Sequence, residues 1–528
     1  MFIPRQWTYL ISLIILGLAL LSCEAQISTN DDSFDKYLQQ SGTSSFSCLL
    51  RNATIVDGLK TPAYHGDLLI NHDTVAFIGK VDTQLIWTDQ IIDLQGHYLT
   101  PGFIDPHAHG DPLEDTFHNF LAMGVTTLLL GQDGRSPVND PSYEDPENYF
   151  KIVSKLDLPL NIAFLSGHGS IRSKLVHGRK ISDGEIAKMA NEVSRSMQAG
   201  CFGMSTGLEY HPGIYATDQE LLVLAREIGK RDGLIMSHMR SEDDEKLNES
   251  IQELMRQGAH CRVHISHLKS VYGRGSIRAE EVIATLKNAV GDGIRISADA
   301  YPYNASYTGI GIVFPNWAKT RTDFELAART RNGELRRHLE AVVMRRNGPD
   351  ATLFATGPFT GKTLAQVAEA SQQHFVDVLM RLGPIGASGA YFVMDESLQS
   401  TFINHPDIMI CTDGGPKMRH PRGYGTHAKI LSRYVRDKGS IALEDAVFKM
   451  SHLPASTIGL EKRGSIQIGA TADLISFDLK NVADLATFED PFRLAVGIDL
   501  VFISGKLVKK GSKILDESQG KLVRKSYN

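Results

Sequence analysis

The chain has 528 residues, 42% hydrophobic and 22% charged, the balance of a folded globular protein rather than a disordered or multi-span one. Lys and Arg number 55 against 61 Asp and Glu, a formal charge of −6, so no basic excess exists to hold a phosphate backbone and nucleic acid is not an expected partner. Five scattered cysteines (Cys23, Cys48, Cys201, Cys261, Cys411), with no C-x-x-C pair, exclude a disulfide scaffold, so an apolar core must carry the fold.

Residues 1–23 place one Arg before a strongly apolar run from Tyr9 to Leu21, then Ser22 and Cys23. The run is short for the ~30 Å hydrocarbon layer and suits the core of a cleaved signal peptide. Leu20-Leu21-Ser22-Cys23 resembles a bacterial lipobox, which implies an exported lipoprotein, periplasmic or at the cell surface, anchored through lipid on Cys23. Residues 24–46 are polar and Ser-rich and read as a flexible spacer.

From 47 to 97 short alternating apolar pieces are punctuated by Gly, Asn and Asp, the texture of a small β unit, and 461–512 repeats that texture. Chain ends often lie close together, so the two stretches are expected to form one composite β-sandwich domain. Residues 513–528 read as a tail.

The middle, 98–460, alternates strand-length apolar runs with helical periods such as DGEIAKMANEVSRSMQAG. Eight runs end in polar residues: GFIDPHAHGD, TTLLLGQDG, NIAFLSGHG, FGMSTGLEY, LIMSHMR, CRVHISHLK, IRISADAYPY and IMICTDGG. This fits an α/β fold with a TIM (β/α)8 barrel, whose active groups lie at the carboxyl ends of the strands. The connection between the last two strands is too long and too helical for a plain loop, and 304–350 is read as a lid-like insertion at the catalytic mouth.

His107 and His109 close the first strand as H-A-H, and residues i and i+2 of an extended segment share a face. His238 and His267 end strands five and six, and Asp413 ends the eighth. One strand-end histidine would be structural; four of them with a carboxylate point to a metal centre. His264 lies a layer deeper and reads as packing or support, while His168 and Arg172 reach the mouth with no derivable role.

TPGFIDPHAH, the strand-end histidines and CTDGG resemble the amidohydrolase superfamily. GVTTLLLGQDG, NIAFLSGHGSIR, GMSTGLEYHPGIYA, SHMRSED, ISHLKS, ADAYPY, HPRGYGTHAKILSRYVRDKGSIALEDAVFKMSHLPA and RGSIQIGATADLISFDL narrow the resemblance to its N-acyl-D-amino-acid deacylase (D-aminoacylase) branch. The likeness spans about residues 48–512. It implies a hydrolase of linear amides in N-acyl-D-amino acids, with Zn²⁺ held by Asp133, His238 and His267 and a weaker or second site at His107 and His109. It also implies Asp413 as general base and acid, and a pocket for the substrate carboxylate lined by Lys269, Tyr301 and Arg422. The D preference comes from the resemblance alone.

One departure is local. The family's second strand usually ends in a Gly-Asn-Cys-Gly-like turn whose cysteine binds zinc, whereas this chain has Gly131-Gln132-Asp133-Gly134. Asp133 is the candidate replacement, a harder ligand than thiolate. Glu209 or a water completing the sphere, or a second metal on His107 and His109, are the alternatives. The fourth strand end, STGLEY, offers no lysine for carbamylation. Hydrolysis of a cyclic amide or a dipeptide on the same scaffold, and a non-catalytic binding protein, are the competing functions.

Overall fold

A computed structural model describes residues 32–516 and 518–527. The leader and Cys23 lie outside the described residues. Among the described residues no helix is long and apolar enough to cross a membrane.

The first five strands are β1 (Ser45–Ile55), β2 (Tyr64–Asn71), β3 (Thr74–Gly79), β4 (Trp87–Asp93) and β5 (Tyr98–Pro101). The barrel follows with β6 (Phe103–Asp105), β7 (Val125–Leu130), β8 (Asn161–Phe164), its continuation β9 (Ser166–Gly167), β10 (Gly203–Gly207), β11 (Leu234–His238), β12 (Arg262–Ile265) and β13 (Ile296–Ala300). Next come β14 (Ser306–Gly309), β15 (Thr352–Phe354) and β16 (Ser388–Tyr391), then the last barrel strand β17 (Ile408–Ile410). The chain closes with β18 (Leu474–Phe477), β19 (Ile498–Ile503), β20 (Lys506–Lys510) and β21 (Lys513–Ile514).

The two chain ends share one nine-stranded sheet, ordered β21-β20-β19-β18-β5-β1-β2-β3 with β4 also on β1. The join is antiparallel, Leu99 opposite Ser476. Leu50, Ile55, Leu68, Ile70, Leu474 and Phe502 from both ends fill one core, so neither end can bury its apolar face alone.

Eight parallel strand positions form the barrel. The third is broken at Leu165, whose N–H bonds to the Leu130 carbonyl at 2.9 Å and so keeps β8 and β9 in one line. Closure is made between the ends of β6 and β17: Ala108 bridges Gly414 in parallel, and the Asp413 N–H donates to the His107 carbonyl at 2.9 Å. The composite β domain, the eight-stranded barrel and an insertion before the last strand are the architecture the sequence announced.

Three boundaries differ from the sequence reading. The stretch read as a flexible spacer to residue 46 contains a helix, Asp32–Ser41. Phe34, Tyr37 and Leu38 recur at helical spacing within polar surroundings, and their stripe packs on Phe46, Leu49, Leu69 and Phe77; burying such a Phe is worth roughly 1.5–3 kcal/mol. The insertion does not stop at 350 but runs to 394, because the antiparallel sheet β14-β16-β15 and the helices Leu364–Ala370 and Phe375–Leu382 share its core with Leu335, Leu339 and Val343. The C-terminal residues are no free tail: Val523 N–H bonds to Ile162 O at 2.7 Å and Tyr527 donates to Cys201 O at 2.5 Å, strapping the chain across the amino ends of the barrel strands.

Lys449 is buried beside the barrel, donating to the Ile403 carbonyl. Burial lowers its ammonium pKa from 10.5 to about 7. Between those values the unfolded chain holds a proton that the folded chain lacks, so this group's contribution to stability rises with pH from about 7 to 10.5 and is lowest below 7. Lys449→Met is therefore expected to raise unfolding stability by roughly 1–4 kcal/mol at pH 7. Urea melts at pH 7 and pH 10 check it: the gain should shrink at the higher pH, and an equal or absent gain at both contradicts the argument.

Candidate metal centre

All the site residues expected from sequence converge at the carboxyl ends of the barrel strands. Asp133 lies at the centre, with Oδ1 3.4 Å from His107 Nε2 and 3.3 Å from His267 Nε2, and Oδ2 3.6 Å from His109 Nε2. His238 Nδ1 stands 3.0 Å from His267 Nε2. Asp413 Oδ1 is 3.0 Å from His109 Nε2 and 3.6 Å from His107 Nε2, while its Oδ2 takes an ion pair from Arg422 Nη1 at 2.9 Å.

The local backbone explains how these side chains reach one point. Asp133, His267 and Asp413 have φ of 54°, 40° and 47°, left-handed values that non-glycine residues adopt at a cost. Each sits where a strand has just ended, and the reversal turns its side chain inward over the barrel axis. Gly207, at the end of β10, is needed beside them, because a Cβ there would collide with the Asp133 carbonyl.

Outer partners fix the rings. His238 Nε2 is 3.1 Å from Glu209 Oε2, so Glu209 orients this imidazole. Glu242 Oε1 is 3.0 Å from His267 Nδ1 and 2.7 Å from Lys269 Nζ. Asp299 accepts the His267 backbone N–H and meets His264 Nε2 at 2.8 Å, which gives His264 its supporting role. His168 and Arg172 do not reach the centre; both pair with buried Glu220, at 2.8 and 3.1 Å.

Lys269, Tyr301 and Arg422 do meet. The Tyr301 ring lies 5.7 Å from Lys269 Nζ and 4.7 Å from Arg422 Cζ. Its hydroxyl points to Met394 Sδ at 3.8 Å, so the Tyr301 ring stands as a platform between the two cations. Glu242, Asp299 and Asp105 were missed by sequence reasoning. Glu242 carries a signal, since it follows His238 by four residues in SHMRSED.

Electrostatics keep the carboxylates ionised. Burial by itself would raise Asp133, but His107 and His267 outweigh it and hold the group well below the usual carboxylate range. Burial likewise opposes ionisation of Asp413, and Arg422 foremost, then His267, reverses it. Burial pushes His107 down; burial and Lys269 act on His267 the same way, but Asp413, Asp133 and Glu242 outweigh them and raise it to about 10.

The donor set fits a divalent cation. Both ring nitrogens of fully buried His107 lack a hydrogen-bond partner, a costly arrangement unless an ion takes up a lone pair. Bonds of ~2.0–2.2 Å at tetrahedral angles place neighbouring donor atoms ~3.3–3.5 Å apart. The separations of 3.3 Å for Asp133 and His267 and 3.0 Å for His238 and His267 lie at or near that spacing. His107, Asp133, His267 and Asp413 form one group of donors, each within 4.8 Å of the others, and His238, Glu242 and His267 form a second.

A barrel with strand-end histidines and two donor groups that share His267 defines a metal-dependent hydrolase of the amidohydrolase type, and comparison with known proteins agrees. The amidohydrolase family profile matches residues 393–508. A D-aminoacylase of Alcaligenes xylosoxydans xylosoxydans is 30% identical over 515 residues, spanning 93% of this chain and 100% of that protein. A solved structure of N-acyl-D-glutamate deacylase from Bordetella bronchiseptica, complexed with zinc and a phosphonate mimic of the tetrahedral intermediate, superposes with a TM-score of 0.79 at 28% identity, covering 91% of this chain and all of that one. A D-aminoacylase studied for one-metal activation and second-metal attenuation at its binuclear centre matches with the same score, identity and coverage. The chain belongs to the D-aminoacylase family of amidohydrolases.

Asp133→Ala should weaken metal retention by more than the ~10- to 100-fold that loss of an outer partner costs, read as metal per chain by plasma mass spectrometry after dialysis. Asp133→Cys should keep zinc and discriminate more sharply against Mn²⁺, because thiolate is the softer ligand. Undiminished metal in the alanine variant removes Asp133 from the ligand set.

Proposed function

We propose that the protein hydrolyses the linear amide of an N-acyl-D-amino acid, releasing a carboxylate and the free D-amino acid. The observation that carries the reading is Asp413, held ionised by Arg422 at the end of the last barrel strand, with its other oxygen 3.0 Å from His109 and facing the imidazole cluster. A divalent ion, zinc by likeness to the relatives, supplies Lewis acidity and lowers the pKa of a coordinated water toward ~7. Asp133, His238 and His267 would hold the tighter ion, and His107 and His109 a weaker or second one.

Asp413 would take one proton from the attacking water through Oδ1 as oxygen adds to the amide carbon. It then delivers that proton to the nitrogen as the C–N bond breaks, so one carboxylate acts first as base and then as acid. Arg422 grips Oδ2 and leaves Oδ1 as the working atom. Lys269 and the Tyr301 ring form a cationic wall suited to the free carboxylate of the amino-acid product. Stereochemical preference follows from the relatives, which are deacylases of D-amino-acid derivatives by name.

Asp413→Asn should retain metal and fold yet lose ~10²-fold or more in kcat. Initial rates on N-acetyl-D-amino acids, their L-enantiomers, hydantoin-type rings and isoaspartyl dipeptides test the substrate class. Faster turnover of the rings, dipeptides or L-enantiomers than of every N-acetyl-D-amino acid would sink this proposal.

The lipobox-like Leu20-Leu21-Ser22-Cys23 supports export and attachment to a membrane surface through lipid on Cys23. Metabolic labelling with a lipid precursor should mark the wild-type chain and not Cys23→Ala; equal labelling of both refutes the anchor.

A further inference from the structure

Among the described residues three arginines are buried: Arg172, Arg346 and Arg422. Arg172 has Glu220 at 3.1 Å and Arg422 has Asp413 at 2.9 Å. Arg346 has no such partner. It follows the insertion's helix Asn332–Arg345, is 7% exposed, and no carboxylate among the described residues forms an ion pair with it. Its Nε has no hydrogen-bond partner, and its guanidinium lies 5.1 Å from the ring of Tyr391, whose buried hydroxyl is also unpaired. Arg345 pairs with Asp243 at 3.8 Å, and Arg346, less strongly than Arg345, also favours the ionised form of that carboxyl without coming within ion-pair distance.

A buried guanidinium with no carboxylate in ion-pair contact is costly, and a ligand anion that reached Arg346 would offset that cost. The site of arrival is defined. Arg346 lines the same cavity as His267, Lys269 and the carboxylates Asp133, Glu209, Glu242, Asp243 and Asp413, with none of which it forms an ion pair. Ser306 Oγ, buried and unpaired, lines it too. Lys319, from the same insertion, is half-buried and also lacks an ion-pair partner among the described residues; burial lowers its pKa, Glu209 opposes that lowering and Arg346 adds to it by repulsion, so Lys319 lies in the field of both. Lys269 has Glu242 at 2.7 Å and Arg422 has Asp413 at 2.9 Å, whereas Arg346 is the cavity's cation with no ion pair among the described residues.

We propose that Arg346, reinforced by Lys319, is a specificity-determining residue that binds a carboxylate on the amino-acid arm of the substrate. The proposal rests on the reading of the site as an amide hydrolase. The carboxylate is either the α-carboxylate or one at the end of an acidic side chain, and a planar guanidinium suits both.

Three substrates separate the sources: N-acetyl-D-glutamate, its neutral isostere N-acetyl-D-glutamine, and N-acetyl-D-leucine. Arg346→Gln should raise KM ~10-fold or more, with kcat changed far less, and Arg346→Lys should recover part of the loss. A loss confined to N-acetyl-D-glutamate assigns the side-chain carboxylate; an equal loss on all three assigns the α-carboxylate. Titration calorimetry with D-glutamate and D-glutamine reads the same recognition without turnover. Weakened product binding in Arg346→Gln, where the wild type hydrolyses none of the three amides, would uphold Arg346 and overturn the deacylase reading alone. Unchanged KM and unchanged product affinity in folded Arg346→Gln would overturn Arg346. Should that variant not fold, Lys319→Gln is the substitute, expected to show the same pattern with a smaller loss; no change there overturns the proposal equally.

Discussion

The mouth of this barrel depends on the seam that joins its first strand to its last. Asp105 accepts the His107 N–H at 3.1 Å and the Thr412 N–H at 3.1 Å, and Thr412 donates its hydroxyl to the same carboxyl at 2.6 Å. The His107 carbonyl in turn accepts from Asp413, and the His109 N–H donates to Gly414 O at 2.8 Å. Burial drives the Asp105 pKa up to about 7, against these hydrogen bonds. The seam thus holds a costly buried group, and what it secures is registry: Asp413, some three hundred residues from His107 and His109 in sequence, is fixed with its Oδ1 3.0 Å from His109 Nε2 and 3.6 Å from His107 Nε2. A slip of one residue would turn Asp413 out of the cavity.

Around that seam the charges are arranged in answered pairs. Lys269 meets Glu242, Arg422 meets Asp413, and Glu209 meets His238, so the residual field at the centre is that of Asp133 among three imidazoles. A carboxylate there does two things a thiolate would not: it adds a second donor oxygen, reaching His109 as well as His107, and it shifts affinity toward harder ions.

The barrel and the principal donors were legible because both leave periodic or positional traces: strand-length apolar runs, each ending in a polar residue, at regular intervals. Less legible were features set by tertiary contact. His107 and His109 follow the i, i+2 rule of extended backbone, but Asp133, His267 and Asp413 reach the centre through left-handed turns that no local pattern announces. Glu242 and Asp299 act through partners far away in sequence. The helix Asp32–Ser41 was hidden because its apolar stripe is only three residues wide, and the far half of the insertion because its short strands resemble barrel strands in composition.

The insertion also constrains how the cavity opens. Its core contains Phe314, Leu335, Leu339 and Tyr391, and the same core takes in Tyr301, Tyr303 and Cys411 from the ends of the last two barrel strands. Swinging the insertion away as a flap would expose that shared apolar surface, at ~25 cal/mol per Å², and would pull Met394 from Tyr301. The opposite side of Asp133 has no such cover: Gly131, Gly134, Gly169 and Gly207 line a broad cleft that also reaches His109 and Tyr210. Side chains at Gly134 and Gly207 would strike neighbouring backbone, so the bareness of this wall follows from close packing of strand ends. On the proposed reading of the site, the charged arm of the substrate would lie under the insertion beside Arg346 and the acyl arm in the glycine-lined cleft, through which access requires no unpacking of a core.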